Sequence, residues 1–198
     1  MGRASPLLGA RTAAFAALLA ALVAYYYART SLAGLRLWWD IAFLAGVLMP
    51  AVFLLKHRPQ SSEAQEGVAF YGRTGQAILK SLQRLRVDPM AVYGTNCLKF
   101  EDGDEDESRP WLQRELRIVQ PKLLVLMGEE ALAYMNSLEF PLADPLEYRV
   151  GDLQRFTATI EALVCPDIDA SLDEQPAKTR FWNAFKRLGP WWAELPPY

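Results

Sequence analysis

Histidine and cysteine are scarce in this 198-residue chain, which has one histidine, His57, and two cysteines, Cys97 and Cys165. Two cysteines so far apart make neither a disulfide framework nor a closed zinc site, and they point to a reducing compartment. The single histidine follows an apolar run, so on this reading the C-terminal part has no histidine for catalysis. Acids are nearly missing from residues 1–56, where Asp40 stands against Arg3, Arg11, Arg29, Arg36 and Lys56. The remainder holds 16 basic and 22 acidic residues, a net charge of −6. The two parts therefore suit different surroundings. No internal repeat is present, which excludes solenoids and propellers.

What the first part does have is apolar length. Thr12 to Ala28 is 17 residues without a charge, and Leu37 to Leu55 is 19 residues with only Asp40. A bilayer core takes roughly 17–25 apolar residues per helix, so both runs reach that range. Tyr25, Tyr26, Tyr27, Trp38 and Trp39 fall where the first run ends and the second begins, at the headgroup level that amphipathic rings favour. The reading is a membrane region over 1–56 with two transmembrane helices, at about 12–28 and 37–55, turning at Arg29–Arg36. A signal peptide fits less well, because the tyrosines and Arg29 leave no small-residue cleavage site. Two buried helices of a soluble domain and a mis-called start of the reading frame are the other readings. The basic residues are spread almost evenly around the two runs, and the rest of the chain has no secretory features. Both ends are therefore placed on the cytoplasmic side of a membrane.

Residues 57–65, polar with Pro59, Ser61 and Ser62, read as a linker, and 66–198 as the folded domain. Gly72 to Arg86 carries Ile78, Leu79, Leu82 and Leu85 at helical spacing. Ala91 to Leu98 reads as a strand and Glu101 to Glu107 as an acidic loop. Trp111 to Val119 reads as a helix, Lys122 to Met127 as a buried parallel strand closed by Gly128, and Glu129 to Leu138 as a further helix. Phe156 to Cys165 holds one or two strands, and Lys178 to Leu188 forms a helix. This alternation implies an α/β fold, a parallel sheet with flanking helices. Ligands of such sheets bind at the carboxyl ends of the strands, here Thr95-Asn96-Cys97, Met127-Gly128-Glu129 and Cys165-Pro166-Asp167.

The most informative stretch runs Gly67-Val68-Ala69-Phe70-Tyr71-Gly72-Arg73-Thr74-Gly75-Gln76, followed by Tyr93-Gly94-Thr95-Asn96-Cys97-Leu98-Lys99. A glycine-flanked aromatic before a helix offers a stacking face. An asparagine at a strand end offers one donor and one acceptor direction. Together they suit a flat heterocyclic base, stacked on the ring and read along its edge. The plain alternatives are that Phe70 and Tyr71 are core aromatics and that Asn96 satisfies local backbone.

These residues resemble the uracil-DNA glycosylase superfamily, and within it the type 4 iron–sulfur enzymes. Members carry a segment like G-x-P-F-V-G-x-A-G-x-x-L and then T-N-x-x-K-C. The resemblance continues through Arg109-Pro110-Trp111-Leu112 and Val119-Gln120-Pro121-Lys122-Leu123-Leu124-Val125-Leu126-Met127-Gly128, and spans about 66–188. It implies that Phe70 stacks on uracil and that Asn96 reads its edge; no catalytic residue is assigned. The family's first motif, G-E-A-P-G at the end of the first strand, has no counterpart, its place being taken by the linker and the second apolar run. The late His-Pro motif falls at Cys165-Pro166. The last two cluster cysteines fall at Phe100 and Ser108, and the first two have no match. A four-iron cluster needs four thiolates, so no metal and no other cofactor is expected. The family's positive loop is here the acidic Glu101–Glu107, which weakens DNA affinity.

Three functions are open to this sequence. The first is a membrane-tethered, degenerate glycosylase-like domain that binds a nucleobase or single-stranded DNA, or an unnamed protein partner. The second is an active uracil-DNA glycosylase in which Asn96, Glu129 or Asp167 assists. The third is a structural membrane protein packing through small residues such as Ala45 and Gly46.

Overall fold

A computed structural model of the protein describes residues 50–100 and 103–195. They belong to one unit, which begins at Leu48. Elements are numbered from the first that is described. Strand β1 is Val52–Lys56, followed by helix α1 at Ser61–Glu66 and α2 at Gly72–Leu85. A short 3-10 turn at Pro89–Ala91 leads into β2 at Val92–Asn96. Next come α3 at Glu105–Val119, β3 at Leu123–Met127 and α4 at Glu129–Ser137. The domain closes with β4 at Leu153–Arg155, β5 at Glu161–Cys165, α5 at Ile168–Ser171, α6 at Gln175–Phe185 and α7 at Leu188–Glu194.

The five strands form one sheet in the order β2-β1-β3-β5-β4. β2, β1, β3 and β5 run parallel, and β4 pairs antiparallel with β5 at the edge. The α/β class and the parallel sheet expected from the sequence are therefore present. β1 (Val-Phe-Leu-Leu-Lys) and β3 (Leu-Leu-Val-Leu-Met) are buried along their whole length, the pattern of strands covered on both faces. Alternate side chains enter two cores. Phe53, Leu55, Leu124 and Leu126 meet Leu112 and Leu116 of α3 and Ala131 and Met135 of α4. Val52, Leu54, Leu123 and Val125 meet Ile78 and Leu82 of α2 and Phe181 and Phe185 of α6. Each such side chain contributes about 1.5–3 kcal/mol by leaving water.

Several sequence expectations need correction. The second apolar run was assigned to a membrane helix over 37–55, but Val52–Lys56 is the strand on which the sheet is built. Losing those residues shortens the run below the roughly 17–25 needed for a span. An apolar strand directly after an apolar stretch has no period of its own to mark it off. Among the described residues, no helix is long and apolar enough to cross a membrane. The first run at 12–28, Asp40, Ala45 and Gly46 lie outside the described residues. The supposed linker 57–65 contains the first turns of α1, so the domain does not start at residue 66. The acidic segment is a loop only in part. Glu105 opens α3, with Asp104 capping it by accepting from the Asp106 amide at 3.3 Å. Acids in a first helical turn are favoured by the helix dipole.

This topology marks a candidate site. From β1 the chain crosses to β2 on one side, and later to β3 on the other. The crevice at such a switch point, outside the carboxyl ends of the strands, is where open α/β sheets bind ligands. Here it lies at Lys56 and His57.

Candidate nucleobase site

Asn96 ends β2 opposite Lys56 of β1, their Cα atoms being register partners. Lys99 ties down this strand end. Its ammonium donates to Thr95 Oγ1 at 2.8 Å, to the Asn96 carbonyl at 2.9 Å and to Glu115 at 2.7 Å. The Asn96 side chain is 7% exposed, and its Oδ1 is buried without a hydrogen-bond partner among the described residues. A buried orphan acceptor costs about 1–3 kcal/mol. A group of this kind takes its partner from a ligand, an ion or an ordered water.

Phe70 is positioned by backbone strain. Its φ is +57°, a left-handed conformation that bulky residues seldom adopt. Two glycines permit it. A Cβ on Gly75 would stand 1.7 Å from the Phe70 carbonyl oxygen, so only glycine fits there. A Cβ on Gly94 of β2 would stand 2.8 Å from the Phe70 ring, so the ring lies directly on the strand backbone. Strain held this firmly is typical of functional positions. The sequence expectation that Phe70 and Asn96 belong together has this geometric content: Phe70 packs on β2 two residues before Asn96. Phe70 also borders an apolar recess of about 210 Å³ with Leu54, Ile78 and Leu82.

Lys56 was not recognised as a site residue. Its side chain is 1% exposed, and its ammonium is 2.6 Å from Glu63 and 2.7 Å from Asp169. Thr74 donates to the other oxygen of Asp169 at 2.6 Å. Glu63 also accepts from the Gln60 amide at 2.8 Å, closing a capping box at the start of α1. The ammonium stands 5.7 Å from the centroid of the Phe70 ring, within cation–π range. Lys56, Glu63, Asp169, Thr74, Phe70 and Asn96 thus form one cluster at the end of β1.

His57 belongs to the domain after all, because β1 carries it to the switch point. It accompanies the face opposite Lys56. Its Nδ1 is 2.8 Å from Glu130, its Nε2 is 3.7 Å from Glu105, and its ring centroid is 6.3 Å from that of Tyr134. Burial, then the neighbouring Cys97, pushes the Tyr134 hydroxyl up to about 12, and it donates to the Glu105 carbonyl at 2.9 Å. With β1 located, the residues at the end of the first strand are Lys56-His57-Arg58-Pro59-Gln60. They occupy the place expected of G-E-A-P-G and share only its proline. The signal was present in the sequence, at a fixed distance before Gly67, but four substitutions concealed it.

The far side of the crevice is chemically quieter. Cys165, at the position of the late histidine, is wholly buried, and burial raises its thiol above the ordinary value. Asp167 caps α5 by accepting from the Asp169 amide at 2.8 Å, and burial raises its carboxyl. Burial, with help from Glu129 and Asp167, raises the hydroxyl of Tyr148. Glu129 and Asp167 are therefore neighbours of one tyrosine, and among the described contacts neither touches Asn96.

A four-iron cluster does not fit these residues. Cys97 and Cys165 are the only cysteines, each buried in a different core on opposite sides of the sheet. Phe100 is exposed, and Ser108 is buried, accepting from the Lys99 amide at 3.2 Å.

Comparison with known proteins agrees with this geometry. The family model described as uracil DNA glycosylase superfamily matches residues 46–187, a span that takes in β1. A type-4 uracil-DNA glycosylase of Archaeoglobus fulgidus is 22% identical over 142 residues, covering 66% of this chain and 71% of that protein. One from Sulfurisphaera tokodaii is 27% identical over 95 residues, 43% of each chain.

Proposed function

Since the chain belongs to the uracil DNA glycosylase superfamily, we propose that it takes a uracil extruded from DNA and hydrolyses its N-glycosidic bond. The observation that carries this reading is the buried, unpartnered Oδ1 of Asn96 beside the strained Phe70 at the switch point. An acceptor there suits the ring N–H of uracil, and an aromatic face suits its plane. Hydrogen bonds aimed at a departing base act strongly in such a water-poor place.

His57 takes the water-orienting part on this reading. It stands where the family's first motif has its acid, and its 2.8 Å contact with Glu130 fixes the ring. An imidazole oriented by a carboxylate is a competent general base. Cys165 leaves the far side without a cation for the departing base, so Asn96 has the larger share of the work.

The test is base release from a uracil-containing single strand and duplex by the full-length protein. Release is expected, with a loss of about 10²-fold or more in Asn96→Ala. A folded protein that releases nothing would remove the catalytic reading. It would leave base binding without chemistry, which one specific observation favours: a lysine stands where the first motif has glycine.

A further inference from the structure

The Lys56 ammonium lies over the Phe70 ring, the surface that the proposed reading gives to a base. In the family pattern the first position after the strand body is glycine; here it carries a four-carbon chain ending in an ammonium. Lys56 shares a register row and a sheet face with Asn96, and that face also holds Gly94, on which the Phe70 ring rests. The ammonium is 5.7 Å from the ring centroid. A base stacked about 3.5 Å over that face of Phe70 would stand about 2.2 Å from an ammonium on the ring normal, inside contact distance. The amine cannot drift aside freely, because Glu63 and Asp169 hold it at 2.6 and 2.7 Å and it is 1% exposed. Nor does it satisfy the acceptor beside it, since Asn96 Oδ1 remains without a partner.

We propose that Lys56 is a gate on the base site. A base gains the face of Phe70 and the Oδ1 of Asn96 only when the ammonium leaves that face and its two carboxylates. This rests on the reading of Phe70 and Asn96 as a nucleobase site. Glu63 and Asp169 are then the latch, and Thr74, donating to Asp169, sets its strength. A site that is mostly closed binds with an affinity reduced by its open fraction. Removing the gate should therefore raise affinity without adding a contact.

The experiment compares full-length wild type, Lys56→Gly and the double variant Lys56→Gly with Glu63→Gln. The double variant avoids leaving two carboxylates against no cation. The probes are a single strand bearing one uracil on a 2′-fluoro-arabino sugar, whose fluorine blocks base loss by disfavouring positive charge on the sugar, and the same strand with a base-free sugar at that position. Binding is read by fluorescence anisotropy and folding by thermal melting. The gate predicts a gain of about tenfold or more on the uracil strand in whichever glycine variants fold, and none on the base-free strand. No gain, or an equal gain on both strands, overturns it. Wild-type preference for the uracil strand with no gain in the variants removes the gate but keeps the site. No preference in any of the three proteins removes both.

Discussion

The two halves of the crevice differ in kind. At the ends of β1 and β2 stand Lys56, His57, Asn96 and Lys99, with Glu63, Asp169, Glu130 and Glu115 paired to the cations and the histidine. At the ends of β3 and β5 stand Met127, Gly128, Cys165 and Pro166, with Glu129 and Asp167 the charges that follow them. Phe70 and Asn96, the pair proposed to hold a base, lie in the charged half, and Cys165 stands in the apolar half at the position of the family's late histidine. On the proposed function, reading of a base and stabilisation of its departure fall to different halves of the crevice.

The largest expected break in that contrast is Lys56→Met. It leaves Glu63 and Asp169 without their cation, and losing one partner of a buried ion pair costs about 3–5 kcal/mol. Urea unfolding of the full-length variant measures it. Next is Gly75→Ala, whose new Cβ meets the Phe70 carbonyl and must displace the strained turn. A loss of about 1–3 kcal/mol is expected, together with weakened base binding.

In the apolar half the effects should be smaller and carried by packing. Cys165→Ser buries a hydroxyl with no partner provided for it, at about 1–3 kcal/mol. Met127→Leu conserves volume and should cost less than about 1.5 kcal/mol. If Met127→Leu proved as damaging as Lys56→Met, the contrast between the halves would be lost.

The smallest effect is a pH dependence at Asp167. Burial raises its carboxyl in the folded protein, so the folded state keeps the proton to a higher pH than the unfolded chain. Its ionisation therefore lowers stability above the folded value, and that penalty fades as pH falls through it. Asp167→Asn keeps an acceptor for the α5 cap and removes the titration. Its unfolding midpoint should match or exceed wild type at neutral pH, and the advantage should shrink on acidification. A wild-type advantage that grew towards neutral pH would reverse the sign.

The legible and illegible parts of this fold differ for physical reasons. β3 and α2 were readable because a closed apolar run and a helical stripe have distinct periods. Phe70 and Asn96 stand out as candidates in the sequence because they sit in linked motifs at fixed spacing. β1 was hidden because its Val-Phe-Leu-Leu continues an apolar stretch and brings it to the length of a membrane span. With β1 misplaced, Lys56 and His57 looked like flanking charges instead of the floor and rim of a site. The latch could not be read at all, since Glu63 and Asp169 lie 106 residues apart and only the fold brings them to one ammonium.

The central claim is that Phe70 and Asn96 form a place for a nucleobase. Its most direct measurement is an NMR titration of the isotope-labelled full-length protein with free uracil, beside the Asn96→Ala variant. The account predicts shifts centred on Phe70, Gly94 and Asn96 in the wild type, with affinity weakened at least about tenfold in the variant, as loss of a buried hydrogen bond requires. Shifts elsewhere, or equal affinity in the two proteins, would contradict it.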